Sequence, residues 1–249
     1  DPSRHQIGFP WGQLQYLVSR RAAVVTANSR GAISALRELR GFEGCDIRHS
    51  PNILSEVPSS PAPDAHRFVV VARLTDEKRV DVAVRAFAEV RWELADWELV
   101  IAGDGPARQT LEALVRHHDL LDRVRLLGHV NRSEEILAEG GVLLLLSEYE
   151  GMPNAVMEAM AHGLPFIVTD GSPGPRELAD WPTGRAGLCV PVGDVASTAD
   201  AMRRLGSSTD LRNELARAGR RAARTMLWES QSSAWHAILG EVGRPAPRT

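Results

Sequence analysis

From residue 66 onward, short apolar runs alternate with longer stretches that mix apolar and polar positions. The runs at 68–72, 98–102, 124–127, 142–146, 166–169 and 188–190 read as strands buried on both faces. The stretches at 80–94, 107–118, 133–139, 153–162, 195–204 and 211–227 read as helices. Strand and helix taking turns in this way predicts an α/β fold, a doubly wound parallel, Rossmann-like sheet with helices on both faces. The first fifty residues are patterned differently. Pro2, Gly8, Pro10 and Gly12 mark 1–12 as loop, 14–21 is a short helix candidate, and 22–27 a buried strand. Ser29 caps a helix expected to reach about Leu39, and 46–49 forms a short strand. Pro51, Pro58, Pro61 and Pro63 mark 51–65 as an interdomain linker. Near the end, Trp228, Trp235 and Leu239 fall seven and four apart on one face of a last helix. Packing on its own domain is the ordinary expectation for such a helix, and 243–249 is expected to be disordered.

The segment Glu150-Gly151-Met152-Pro153-Asn154-Ala155-Val156-Met157-Glu158-Ala159-Met160-Ala161-His162-Gly163 follows the fourth of these strands. Pro153 can open a helix, because its missing N–H would be unpaired there anyway. Gly163 and Pro165 stop that helix. Strand, glycine turn and helix in this order place the helix tip at the carboxyl end of the strand, where open parallel sheets bind ligands. Free amides from Gly151 to Ala155 make a site for an anion. Asn154, Glu158 and His162, four apart, share one face of an otherwise apolar helix. Glu150 and Glu158 can therefore both face the crevice. The plainer alternative pairs Glu158 with a buried arginine and leaves Glu150 solvated in the loop.

Charge and cysteine content narrow the partners. The net charge of −3 over 249 residues gives no reason to expect nucleic acid. Cys45 and Cys189 have neither metal nor redox spacing, which fits a reducing cytosol. No stretch is apolar for the 18–20 residues of a membrane span and no signal peptide is visible. The chain opens at Asp1, without a methionine, inside what reads as a polar loop, so a fragment or a processed product is expected.

Other turns carry candidate chemistry. After the first strand comes Arg73-Leu74-Thr75-Asp76-Glu77-Lys78-Arg79. Arg73 and Lys78 could clamp a diphosphate, or form a solvated charged loop with Glu77 pairing Lys78 or Arg79. Gly103-Asp104-Gly105-Pro106 offers Gly-x-Gly, but Arg108 stands where a dinucleotide fingerprint needs its third glycine, and it follows the wrong strand. A tight turn with Pro106 opening the next helix is the better reading, with no nicotinamide or flavin. His129, after the third strand, reads as an exposed loop residue. No Asp-x-Asp motif or other metal-ligand cluster is evident, so no metal is expected.

The segment from Glu150 to Pro165, with its Glu-x7-Glu spacing, resembles the donor-site motif of the family-4 retaining glycosyltransferases, which have the two-domain GT-B fold. Arg73-Leu74-x-x-Glu77-Lys78 resembles that family's diphosphate motif, and Gly103-Asp104-Gly105-Pro106 recurs at this place. The resemblance covers 66–240 well and 13–52 loosely. It implies a metal-independent hexosyltransferase that moves a sugar, with retention, from a UDP- or GDP-linked donor to a glycan or lipid-linked acceptor hydroxyl. The donor is a substrate, and no separate cofactor is implied. By matched position, Arg73 and Lys78 hold the diphosphate, backbone groups near Gly128 and Val130 the base, and Glu158 the ribose. Glu150 holds the sugar with amides from Gly151, Met152 (before Pro153) and Asn154; Glu150, Arg73 and Lys78 are the expected catalytic groups. Ser172 and Pro173 are swapped relative to the family's usual Ser-Gly-Pro order, which leaves that loop's contacts open. Gly187-Leu188-Cys189-Val190-Pro191-Val192-Gly193-Asp194 matches the closing strand and turn.

The implied organisation is an incomplete N-terminal acceptor domain (1–50), linker (51–65), donor domain (66–227) and a crossover helix with tail (228–249). His5 lies too close to the chain start for the histidine role that the N-terminal half normally supplies. A cytoplasmic location is implied, at the inner face of a membrane if the absent N-terminal part associates peripherally. The chain alone is expected to bind a nucleoside diphosphate weakly and turn over poorly. Two other classes use the same sheet: a nucleotide-sugar epimerase and a non-catalytic nucleotide-binding module.

Overall fold

The computed structural model describes residues 22–39, 41–50 and 52–242. The expectations for 1–21, including the helix at 14–21 and His5, and for Pro51 and 243–249, lie outside these residues.

Two short parallel strands, β1 (Val25–Ala27) and β2 (Ile47–His49), flank helix α1 (Arg30–Glu38). Ser29 caps α1, its hydroxyl accepting from the Ala32 amide, as the sequence predicts. The six strands predicted from the apolar runs form one parallel sheet: β3 (Arg67–Val71), β4 (Glu98–Ala102), β5 (Val124–Gly128), β6 (Val142–Leu145), β7 (Phe166–Thr169) and β10 (Gly187–Val190). Their spatial order is β10-β7-β6-β3-β4-β5. The chain therefore runs outward from β3 through β4 to β5, then returns past β3 to β6. That reversal opens a crevice at the carboxyl ends of β3 and β6, the ligand position of doubly wound sheets.

Helices α2 (Val80–Val90), α3 (Arg108–His117) and α7 (Val195–Ser207) cover one face; Phe68, Phe87 and Trp97 pack there, with Phe68 and Trp97 ring centres 4.7 Å apart. On the other face α5 (Asn154–His162) and α8 (Thr209–Arg224) bury Val156, Met157, Met160 and Ala222 against Leu143, Leu145 and Phe166. The short helix α4 (Ser133–Ala138) flanks α5. Both faces of the central strands are dry, which is why those strands carry continuous apolar runs, whereas the edge strand β5, read as buried, alternates and leaves Arg125 and Leu127 exposed.

Several features differ from the expectations. The strand read as buried over 22–27 is only Val25–Ala27 and is partly exposed, and α3 begins at Arg108 instead of being opened by Pro106. Residues after β7, read as a shaped loop, include a helix, α6 (Pro173–Ala179). Its two prolines and glycine disguise it, yet Pro173 and Pro175 sit in the first turn, where a missing N–H costs nothing. A small antiparallel hairpin of β8 (Asp180–Trp181) and β9 (Gly184–Arg185) follows. Pro153 does not open α5 but stands as its cap, with the helix beginning at Asn154.

The proline-rich segment before the sheet is pinned along its length. Leu54 bridges in parallel to Leu227, its amide bonding the Met226 carbonyl at 3.0 Å. Arg220 donates to the Pro58 carbonyl at 2.6 Å, and Arg212 forks onto both oxygens of Asp64 at 2.7 Å. The last helix, α9 (Trp228–Val242), leaves Trp228 and Leu239 exposed, whereas Trp235 is half-buried.

Candidate functional site

The loop leaving β3 is shaped by close backbone packing. A side chain on Gly103 would meet the Ala72 carbonyl at 1.8 Å, and one on Gly105 the Leu74 carbonyl at 2.5 Å. Both glycines have positive φ, at 148° and 158°. The Gly-Asp-Gly-Pro turn is thus the wall on which Ala72 to Leu74 rests. A single 3-10 turn, Asp76–Lys78, follows and ends at Arg79, which adopts the left-handed conformation (φ 48°). That costs a non-glycine residue about 1 kcal/mol. Arg79 is held there by Asp81 at 3.2 Å and Glu148 at 3.5 Å. The Glu148 amide also bonds the Glu77 carbonyl at 2.8 Å, stitching the loop after β6 to the turn after β3.

These constraints aim Lys78 across the crevice. Its Nζ lies 2.8 Å from Glu150 Oε1, and both side chains are about four-fifths buried. Ser147 Oγ donates to the same oxygen at 2.8 Å. Glu150 Oε2 has no hydrogen-bond partner among the described residues. The Glu150 amide donates to Ser172 Oγ at 2.8 Å, so Ser172 locks the turn instead of capping α6. Gly174 comes so close that a Cβ would sit 1.6 Å from the Gly151 carbonyl. The amides of Gly151, Met152, Asn154 and Ala155 have no backbone partner among the described residues, and no side chain caps α5. An open helix tip therefore faces the same crevice as Lys78.

The remaining predicted residues fall around this centre. Arg73 is exposed on the β3 loop, with no hydrogen bond or ion pair among the described residues; the Glu77 carboxyl is held below its usual range chiefly by its own backbone amide, with smaller contributions from the fields of Lys78 and Arg73. Neither plain alternative for the glutamates holds. Glu150 is paired and largely buried, and the partner of Glu158 is Ser133 Oγ, at 2.9 Å, instead of an arginine. Nor does Glu77 pair Lys78 or Arg79. Glu158 does not touch Glu150; it lines a cavity of about 210 Å³ with Leu54, Glu56, Arg132, Glu134 and His162. Burial pushes the His162 imidazole below its usual range, partly offset by Glu134 and Glu158. Gly128 ends β5, two strands from β3, Val130 follows it, and the Gly128 carbonyl is engaged by the Gly103 amide at 2.8 Å. His129 is exposed.

Residues that the sequence did not single out complete the site. Ser147 and Ser133 each orient one of the two glutamates, and Arg79 sets the direction of Lys78. A serine at a strand end or helix start carries no distinguishing signal, and nothing in the pattern marks an arginine for a left-handed turn.

The family model for glycosyl transferases group 1 matches residues 56–222. The chain belongs to that family. An N-acetyl-alpha-D-glucosaminyl L-malate synthase of Bacillus anthracis is 36% identical over 148 residues, 59% of this chain and 38% of that protein. An alpha-D-kanosaminyltransferase of Streptomyces kanamyceticus is 32% identical over 148 residues, with the same two coverages. The match therefore spans well under half the length of these relatives. Among solved structures, the pneumococcal O-GlcNAc transferase GtfA, in complex with UDP and GlcNAc, superposes with a TM-score of 0.80 at 21% identity. It covers 93% of this chain and 47% of that one. Sucrose-phosphate synthase from Thermosynechococcus elongatus gives 0.79 at 21% identity, over 92% of this chain and 61% of its own. The shared architecture is the GT-B fold, with its six-stranded parallel sheet between helical layers. None of the described helices of this family member is long and apolar enough to cross a membrane, and no described group of His, Cys, Asp and Glu is arranged to hold a metal ion.

Proposed function

We propose that this glycosyl transferase moves a sugar, with retention, from a nucleoside-diphosphate donor to an acceptor hydroxyl, as the family-4 enzymes do, and that it uses no metal. The observation that carries the reading is the Lys78–Glu150 pair beside an uncapped helix tip at the topological switch point. A departing nucleoside diphosphate gains negative charge. An ammonium group and backbone amides already aimed at one place stabilise that charge without reorganising. Arg73, exposed on the same loop, closes on the diphosphate as a second cation and makes a bridging magnesium ion unnecessary.

Glu150 then acts on the sugar. Oε1 is saturated by Lys78 and Ser147, so Oε2 is the oxygen that receives a sugar hydroxyl. Glu158, oriented by Ser133, takes the ribose hydroxyls, and the turn at Gly128 and Val130 backs the base. A donor phosphate oxygen accepts the acceptor's proton during front-face attack, and no protein nucleophile is required. The pairing of UDP with a sugar in the GtfA complex, and the sugar-transferring relatives, support a UDP- or GDP-linked donor. Glycan or lipid-linked acceptors, and a cytoplasmic location with peripheral membrane association, complete the proposal.

Thermal shift against UDP, GDP and ADP and their sugars tests it first. A nucleotide-dependent rise in Tm, enhanced by one sugar, is expected. Transfer from that donor is then assayed with labelled sugar. Absence of any nucleotide response, or interconversion of the donor sugar without an acceptor, overturns the reading.

A further inference from the structure

Asn52, in the segment before the sheet, makes three side-chain hydrogen bonds around the tip of α5. Its Nδ2 donates to the Met152 carbonyl at 3.1 Å and to Asn154 Oδ1 at 2.7 Å, while its Oδ1 accepts from Asn28 Nδ2 at 3.2 Å. A carbonyl can only accept, so Met152 fixes which end of the Asn52 amide faces α5. Both Nδ2 hydrogens and the oxygen are then in use.

Asn154 is the first residue of α5, and its own amide and that of Ala155 have no backbone partner among the described residues. An asparagine in this position readily folds its oxygen back onto its own or a neighbouring amide. Doing so would cap the helix and fill the place an anion must take. Asn52 holds that oxygen outward, and Asn28 holds Asn52. We propose that Asn52 is a positioning residue that keeps α5 from capping itself and so leaves its tip open for an anionic ligand. The consequence for ligand binding rests on the function proposed above; the effect on the empty helix tip does not.

The test compares wild type, Asn52→Ala and the double variant Asn52→Ala/Asn154→Ala. Amide hydrogen exchange by NMR on the ligand-free protein is read at Asn154 and Ala155. Titration calorimetry with UDP and GDP reads binding. Asn52→Ala is expected to slow exchange at one or both amides and to weaken nucleotide binding about three- to tenfold, the worth of one competing hydrogen bond. The double variant, lacking the side chain that folds back, should restore fast exchange and recover most of the binding. Merely loosening the turn would predict the opposite, with the second truncation adding to the first. Unchanged exchange in Asn52→Ala, or a double variant no better than the single, overturns the proposal. Should Asn52→Ala fail to fold, Asn52→Ser keeps a polar group at the position but falls short of Asn154, and the same exchange result is required of it. Wild type that binds neither UDP nor GDP sinks the proposed function, while the exchange data still decide the role of Asn52.

Discussion

The Lys78–Glu150 pair is a stored arrangement with two uses. The carboxylate holds the ammonium in place; in the proposed function the same ammonium turns toward the phosphate oxygens of the donor. Lys78→Met removes the cation and leaves a largely buried Glu150 with Ser147 as its remaining donor. Binding of UDP or GDP should fall about ten- to hundredfold by calorimetry, the range for a hydrogen bond to a charged group. Glu150→Gln should leave nucleoside diphosphate binding within about threefold and lower turnover instead, since the proposed function assigns its free oxygen to the sugar. His162 supplies a pH dependence. Burial lowers its folded pKa, so the unfolded chain binds the proton more readily. Its contribution to stability is complete above about pH 6.5 and is lost as pH falls below that value toward the lowered folded pKa. Urea unfolding between pH 7.5 and 5 should show this decline, and His162→Gln should flatten it.

Helices and strands with long apolar patterns were legible to within a few residues, because burial on both faces leaves an unbroken apolar run in each central strand of the sheet. The motif at 150–163 was legible as a strand–turn–helix for the same reason. What escaped was set by backbone geometry instead of side-chain character. Helix α6 hides behind its prolines, and the approach of Gly174 to Gly151 joins residues more than twenty positions apart. The pairing of Lys78 with Glu150 spans 72 positions and depends on a left-handed Arg79 that no pattern announces. The glycine walls can be tested directly. Gly103→Ala places a methyl group 1.8 Å from the Ala72 carbonyl, where the backbone must move. A loss of about 1–3 kcal/mol in chemical denaturation is expected. Gly174→Ala, 1.6 Å from the Gly151 carbonyl, should instead weaken nucleotide binding, since it pushes on the site turn itself.

The molecule as a whole is held by clips between segments remote in sequence. Arg212, only 3% exposed, forks onto Asp64, bonds the Leu205 carbonyl at 2.6 Å and stacks 5.2 Å from the Trp97 ring centre. The two partners are unequal. Asp64→Ala leaves a buried guanidinium without its counter-charge and should cost about 2 kcal/mol, less than a fully buried pair because Asp64 is partly solvated and Arg212 keeps the Leu205 and Gly206 carbonyls. Arg212→Met removes the buried charge with its partner still in reach of water, and should cost less. Urea titration of both variants checks the order. Where Leu54 bridges Leu227, the chain enters and leaves the sheet at one spot. Residues 55–226 therefore form a loop whose two ends already touch. Linking the chain near these two residues and opening it at a surface turn elsewhere is therefore expected to give a permuted protein that keeps the six-stranded sheet, which a single cooperative urea transition would check.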